Sequence, residues 1–282
     1  MKLINAVANI VFASILVGCS SLPPRRAVTG APSVEAAVRA ATTTGKAGQI
    51  TSSGSGAKYR YFQTDDPGAQ AATRDVRRAE DAAALSVDDV TVDDSNRFMG
   101  SARAHAKTTI AHANLERFGD LDAMVATIPP DSKMLSYQPR INRDTPRVAE
   151  ELRNVAVCAW IVATKGESDN DYHVMLSNAD GSIIFNAEVS GIPDTGSKGN
   201  RKRLFDARAS FEAFVEQDGR KTGKYTGWGD PVPVYVEGSL FYDTEHKPGV
   251  VGPAFARPKS AWEIHPVSKV LFEPDTTLCG AS

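Results

Sequence analysis

The sequence predicts a mainly β protein with a few helices, and three observations lead to that prediction. The 282 residues are 41% hydrophobic and 23% charged, which is the composition of a globular chain. From about residue 155 onward, apolar and polar residues alternate with a period of two, as they do in strands. One amphipathic stretch with helical spacing interrupts this alternation. The predicted order of elements in the C-terminal half is therefore β-β-β-α-β-β.

The first residues form an element of their own. Lys2 gives a positive start, and residues 3–17 are mostly apolar before the chain reaches Leu16-Val17-Gly18-Cys19. A short apolar run with a positive start is typical of a secretory signal. The last four residues match a bacterial lipobox, in which the cysteine is acylated and becomes the new N-terminus. The sequence therefore predicts a lipoprotein signal peptide over residues 1–18 and lipidation at Cys19.

Lipidation at Cys19 predicts a location in the bacterial cell envelope, with the lipid bilayer as the first partner. Each buried CH₂ of an acyl chain contributes about 0.8 kcal/mol, so two or three chains anchor a protein stably. In a Gram-negative host, Ser20 rather than aspartate after the cysteine indicates the outer membrane, with the chain facing the periplasm.

Three cysteines exclude a disulfide-dense scaffold. Outside the cytoplasm Cys158 and Cys279 could form a disulfide, because nothing there keeps thiols reduced. The alternative is a pair of free thiols, with Cys158 buried as a small hydrophobic residue and Cys279 in the C-terminal tail.

Two segments separate the lipidated cysteine from the predicted strands. Residues 19–64 are rich in small and polar residues, which bury too little apolar surface to offset their conformational entropy. They are predicted to be a flexible tether. Residues 65–130 are acidic at first and then carry apolar residues at spacings that fit one or two short helices, with Gly119 as a break. We interpret this second segment as a helical or partly disordered accessory region.

The C-terminal domain is expected over residues 131–282. Its predicted elements, in chain order, are strands at 155–163, 171–177 and 182–189, a helix at 201–217, and strands at 232–242 and 262–272. Five strands with one helix between the third and the fourth match the connectivity of an OB-fold, a small Greek-key barrel. The sequence therefore predicts an OB-fold-like five-stranded barrel. An open α+β sheet with the helix on one face is the alternative.

Charged side chains occupy strand positions that usually carry apolar residues. Asp171 and His173 are two residues apart and share one face of the second strand, and Glu263 and His265 repeat this spacing on the fifth. Three further candidates could approach these pairs: Glu188, Asp243 and His246. A carboxylate and a histidine can bind a divalent metal, or form a base with its orienting carboxylate. The alternative is a hydrogen-bonded polar lock that fixes strand register and needs no cofactor.

The same residues carry a resemblance to a group of uncharacterised secreted bacterial proteins. The matching stretches are Lys165–Leu176, which contains Asp171-Tyr-His173, then Asn186-Ala-Glu188, Glu237–Asp243, and Trp262-Glu263-Ile264-His265-Pro266-Val267. The resemblance covers about residues 150–273 and implies shared structure around the Asp-x-His and Glu-x-His pairs. It implies no activity. Many of those proteins have a cysteine after the Ala-Glu strand, and none follows Val189 here, so a shared disulfide is not implied.

No catalytic motif names a reaction. The sequence has no Gly-x-Ser-x-Gly, no His-Glu-x-x-His, no P-loop and no Cys-x-x-Cys. With 32 basic and 34 acidic residues, the overall charge does not indicate nucleic acid either. One loop mixes cations with aromatic residues as single-strand nucleic-acid surfaces do, and an exposed linker explains it equally well. Its residues are Lys221, Lys224, Tyr225 and Trp228.

These observations favour a non-enzymatic, lipid-anchored envelope module that binds a small ligand or another envelope protein, or that is structural. The alternative is a metal-dependent hydrolase, nuclease-like, that uses Asp171/His173 and Glu263/His265. Barrels of this kind support both a secreted nuclease and many binding proteins. Phosphodiester chemistry needs arginines near the carboxylates, and the predicted strands do not place them there. The sequence therefore favours binding over catalysis.

Overall fold

The structure is a computed structural model, and it describes residues 47–52, 58–63, 72–76, 90–215 and 223–279. The predicted signal peptide and Cys19 lie outside the described residues. Among the residues that are described, no helix has the length and apolar character needed to cross a membrane.

The described chain is mainly β, as the sequence predicts. The strands are β1 (Ala47–Ser52), β2 (Lys58–Gln63), β3 (Ala72–Val76), β4 (Leu115–Phe118), β5 (Asn154–Gly166), β6 (Tyr172–Ser177), β7 (Ile184–Val189), β8 (Thr226–Tyr242) and β9 (Trp262–Phe272). The α-helices are α1 (Ala104–Lys107), α2 (Leu121–Val125), α3 (Asp131–Leu135), α4 (Lys198–Val215) and α5 (Thr276–Cys279), and a 3₁₀ turn spans Ala149–Glu151.

Strands β5 to β9 pair in a closed ring. β5 pairs antiparallel with β6 and with β8, and β6 pairs antiparallel with β7. β7 pairs parallel with β9, and β9 pairs antiparallel with β8, which closes the ring. β4 extends the sheet by pairing parallel with β5. The result is a mixed sheet that contains a ring of five strands. Helix α4 connects the third and fourth strands of that ring, which is the predicted order.

Four strands lie where the sequence predicts coil or helix. β1 and β2 fall within the predicted tether, and β3 and β4 fall within the predicted accessory region. β2 pairs antiparallel with the start of β8, where Tyr61 lies opposite Trp228, and β1 joins β2 to β3. The edge of the sheet offers backbone hydrogen-bond partners to these strands, and amino-acid composition does not show that such partners are present.

The boundary predicted at residue 131 does not divide the hydrophobic core. Leu121 and Met124 of α2 are fully buried in the same core as the ring. Arg103, just before α1, is buried and donates to Glu151 at 2.8 Å and to the carbonyl of Tyr242 at 3.0 Å. Residues 101–130 therefore complete the folded unit, and the α-helices in that range are Ala104–Lys107 and Leu121–Val125.

The inside of the ring is apolar. Alternate residues of β6, β7 and β9 lie in the main core, among them Val174, Ala187 and Ile264. Helix α4 covers this core with Phe211 and Phe214, and the Phe214 ring stacks on Phe272 with centroids 3.8 Å apart. Because strand side chains alternate between faces, the intervening residues of β6, β7 and β9 must point to the outer face of the ring.

Cys158 and Cys279 form a disulfide, so the structure contains the bridge that the sequence leaves open. Their Cα atoms are 5.7 Å apart, which is within the usual range for a disulfide. The bridge attaches α5 to β5 beside Ala156 and Tyr235.

Candidate functional site

The predicted polar residues converge on the outer face of the ring. His173 on β6 lies directly opposite Glu188 on β7, and Asn186 on β7 lies opposite Glu263 on β9. Segments outside the ring cover this face: Met175, for example, is buried against Val251 and other residues of the loop between β8 and β9. All of the polar side chains except the exposed His246 are therefore buried without entering the apolar core. The seven predicted members of this group are Asp171, His173, Glu188, Asp243, His246, Glu263 and His265.

His265 lies at the centre of the group and is fully buried. Its Nδ1 atom lies 3.0 Å from a carboxylate oxygen of Glu263 and 3.0 Å from one of Glu188. Its Nε2 atom lies 3.3 Å from Oδ2 of Asp171. The histidine is therefore surrounded by three carboxylates, all of them buried.

Glu188 connects His265 to a second histidine. Its other carboxylate oxygen lies 2.9 Å from Nε2 of His173. The Nδ1 atom of His173 lies 3.2 Å from Glu167 and 3.1 Å from the hydroxyl of Tyr225. Asp171, His265, Glu188 and His173 thus form one alternating chain of carboxylates and imidazoles, which we call the relay.

Backbone and amide groups hold the relay in place. The backbone N–H of Gly191 donates to Oδ1 of Asp171 at 2.7 Å. Gly191 packs against the backbone of Phe98, where a Cβ atom would lie 2.6 Å from the Phe98 Cα. The side-chain amide of Asn186 donates to Glu188 and to Glu263, each at 2.9 Å. Both carboxylates therefore keep a fixed orientation.

Asp243 and His246 lie at the entrance of the loop between β8 and β9. The Asp243 carboxylate accepts from the backbone N–H of Glu245 at 2.8 Å and contacts the His246 ring. The His246 ring meets the His173 ring edge to face, with centroids 6.4 Å apart. The His246 side chain is 44% exposed, so this pair forms the solvent side of the group.

Burial and charge act in opposite directions on the pKa values of the relay. Burial alone would lower the pKa of His173, but the charges of Glu188 and Glu167 raise it to about 9. Burial would raise the pKa of Glu188, yet the two histidines hold it well below its usual range. Burial, together with the charge of Glu188, raises the pKa of Glu263 to about 7. These shifts have the size that is common where ionisable groups are arranged for function.

Lys107 places a positively charged ammonium group beside the relay. It belongs to α1, its side chain is buried, and its ammonium lies 5.8 Å from the centre of the Phe241 ring. Burial disfavours the charged form, but nearby carboxylates more than compensate and raise the pKa of Lys107 above its ordinary value. Those carboxylates are Glu188, Glu263, Asp243 and Asp171.

The His173 end of the relay opens into a cleft of about 350 Å³. Its polar lining comes from Lys107, Lys165, Glu167, Ser168, Asp169, His173, Glu188, Tyr225 and His246. Lys165 and Glu167 form an ion pair at 2.7 Å, and the backbone N–H of Gly252 donates to the Tyr225 hydroxyl at 3.0 Å. The cleft presents both donors and acceptors to a ligand.

Sequence reasoning missed four residues of this site. Glu167 and Asn186 occur within the stretches that carry the family resemblance, so their positions offered a signal. Lys107 gave none, because its place depends on how the segment before the ring packs. Tyr225 was considered together with Trp228 as part of a nucleic-acid surface or an exposed linker. Trp228 is 1% exposed and belongs to the core, so it offers no stacking surface.

The buried end of the relay has the ligand types of a metal site. Asp171, Glu188 and His265 can each offer one atom, and these atoms lie within 4.8 Å of one another. The group could therefore hold a divalent ion.

Comparison with protein-family models, with curated proteins and with solved structures finds no match to this chain. The functional argument therefore depends on the geometry of the relay and the cleft.

Proposed function

We propose that this chain is a lipid-anchored envelope protein whose strand ring is an OB-like barrel that binds a small polar ligand in the cleft. The observation that carries the proposal is the position of the cleft on the ring. OB-folds bind their ligands on the face of their second and third strands, between the loop after the first strand and the loop before the last.

The pairing order supports the OB-like assignment. Numbered within the ring, the strands pair as first with second, second with third, third with fifth, fifth with fourth, and fourth with first. The helix lies between the third and the fourth, as it does in OB-folds. An open α+β sheet does not need the pairing between the first and fourth strands.

The cleft residues come from the elements that OB-folds use for binding. His173 and Glu188 lie on the second and third strands of the ring. Glu167 lies in the loop between the first and second strands, and His246 lies in the loop between the fourth and fifth. The proposed binding face and the observed cleft therefore coincide.

The lining of the cleft favours a polar ligand of modest size. Lys107 and Lys165 offer ammonium donors, Glu167 offers carboxylate oxygens, and Tyr225 offers a hydroxyl. Ligand pockets usually measure about 300–1,000 Å³, so this cleft is at the small end of that range. A ligand with several hydroxyl, amine or carboxylate groups fits this chemistry better than an apolar one.

A hydrolase is the second candidate, and one observation favours it. His173 faces the cleft while Glu188 orients it, and because its pKa is raised to about 9 the imidazole is protonated at neutral pH, which is the arrangement of a general acid and its partner. Release of nitrophenolate from a nitrophenyl ester or phosphodiester, lost in His173→Ala, would favour hydrolysis over simple binding.

Nuclear magnetic resonance can test the binding proposal. We expect a panel of monosaccharides, amino acids and nucleotides, added to the ¹⁵N-labelled mature chain, to contain a compound that shifts the amide signals of His173 and Gly252. His173→Ala should weaken the response, and His105→Ala, at an exposed position outside the cleft, should leave it unchanged. Shifts confined to another surface, or no response to any compound, would refute the proposed cleft.

Detergent partitioning tests the anchor. Cys19→Ala should move the protein from the detergent phase to the aqueous phase or leave it unprocessed, because acylation needs the thiol. Retention of the variant in the detergent phase would contradict lipidation at this residue.

A further inference from the structure

Two buried polar atoms at the inner end of the relay lack a hydrogen-bond partner among the described residues. They are Oδ2 of Asp171 and Nε2 of His265, which lie 3.3 Å apart in an ion-pair contact whose geometry is not that of a hydrogen bond. Buried polar atoms nearly always make a hydrogen bond, so this pair requires an explanation. Two ligand atoms of one metal ion lie close to each other in this manner, and no hydrogen bond joins them.

The contacts of His265 leave Nε2 available as a ligand. Its Nδ1 atom is hydrogen-bonded to Glu263 at 3.0 Å, which is the position of a proton donor. Loss of the Nε2 proton on metal binding would leave that atom a lone pair directed to the Asp171 side. Metal-binding histidines commonly donate their other ring N–H to a carboxylate in this way.

The charges of the cluster also favour a bound cation. Asp171, Glu188 and Glu263 are all buried within contact distance of His265. With Asp243 the carboxylates number four, and the basic side chains beside them include Lys107 and His173. Buried charges require compensation, and a dication supplies two positive charges in one place.

We propose that Asp171, Glu188 and Nε2 of His265 bind a divalent first-row transition ion such as Zn²⁺ or Mn²⁺. One imidazole and two carboxylates are the ligand types of such ions, whereas Mg²⁺ and Ca²⁺ prefer oxygen ligands alone. Glu263 is then the outer carboxylate that orients His265. Glu188 also lines the cleft, so the ion has a route from solvent.

Metal analysis and thermal unfolding of the full mature chain test this site. After treatment with a chelator, the protein should take up one Zn²⁺ or Mn²⁺ per chain, and its melting temperature should rise with the ion concentration. Mg²⁺ at the same concentration should raise the melting temperature less.

Two conservative variants separate the metal site from a hydrogen-bonded lock. Asp171→Asn keeps the acceptor for Gly191 but removes a charged ligand, so it should lose stoichiometric uptake. Glu263→Gln changes the outer carboxylate and should weaken affinity by about 10–100-fold. His105→Gln, an exposed change, should bind the ion as the wild type does.

The proposal is wrong if the wild type binds the ion substoichiometrically, or if Asp171→Asn binds it as tightly as the wild type. Folding of each variant is checked by its cooperative thermal transition without metal. An Asp171→Asn chain that does not fold would leave Glu263→Gln to decide, and unchanged affinity in that variant would also overturn the proposal. Ligand titrations in the presence of chelator test the cleft separately from the ion.

Discussion

The inner and outer faces of the strand ring are both buried, but they are built from opposite chemistry. Ile264 and His265 are neighbours on β9, and each is 0% exposed. Ile264 packs in the apolar core, whereas His265 contacts three carboxylates. Burial therefore does not identify a hydrophobic face. The outer face is buried because other segments of the chain cover it.

Arginine side chains form hydrogen bonds that join the covering segments to the strands of the ring. Arg147 donates to the carbonyl of Ala106 at 2.6 Å and to that of His265 at 2.6 Å, so it joins α1 to β9. Arg103 binds Glu151 and the end of β8 in the same manner. A surface patch of charges would need no such cover. The two faces therefore differ in the side chains that they bury, apolar on the inner face and charged on the outer face.

The largest expected effect belongs to the inner face. Phe211→Ala should lower the free energy of unfolding by about 3–5 kcal/mol, because it removes a fully buried ring and leaves a cavity. Phe211 also contacts the ring of Tyr172 at a centroid distance of 5.1 Å. Urea unfolding measures the change, and Phe211→Leu, which fills more of the cavity, should cost less. Equal stability of Phe211→Ala and the wild type would contradict the proposed core.

A polar change on the outer face should cost less. His173→Ala leaves Glu188 without one hydrogen-bond partner and should cost about 1–3 kcal/mol in the same urea experiment. His105→Ala should change stability little, because His105 is exposed. The comparison of the two faces fails if His173→Ala costs as much as Phe211→Ala.

The order of strands and helix was predictable because the strand period of two and the helix period of about 3.6 are both properties of neighbouring residues. Residues 155–163, 171–177, 182–189, 232–242 and 262–272 were predicted as strands, and each range overlaps an observed strand. The helix predicted at 201–217 is observed as Lys198–Val215. Strands β1 to β4 were missed because the features that define them are pairing partners distant in sequence, such as Trp228 for Tyr61 and Asn154 for Leu115.

The site was predictable only in part, for a related reason. The spacing of Asp171 and His173, and of Glu263 and His265, shows that each pair shares a face of its strand. The sequence does not show that β7 brings Glu188 between the two histidines, since this depends on the parallel pairing of β7 with β9. Lys107 was missed because it reaches the site from outside the ring.

The smallest expected effect concerns a charge pair outside both faces of the ring. Arg153 donates to Glu116 of β4, and this hydrogen bond lowers the pKa of the Glu116 carboxyl below its ordinary value of 4.5. The side chains are 20% and 41% exposed, so water and salt screen the pair, and Glu116→Gln should cost less than about 1 kcal/mol at neutral pH. A lowered folded-state pKa means that the ionised carboxylate stabilises the fold above about pH 4.5, and that this contribution is lost as the pH falls through the lowered pKa. The stability difference between wild type and Glu116→Gln should therefore shrink in urea unfolding as the pH is lowered below that value. If the stability difference between wild type and Glu116→Gln stays constant with pH, the Glu116 carboxylate contributes through packing rather than charge. That result would remove the contrast between this exposed pair and the buried charges of the outer face.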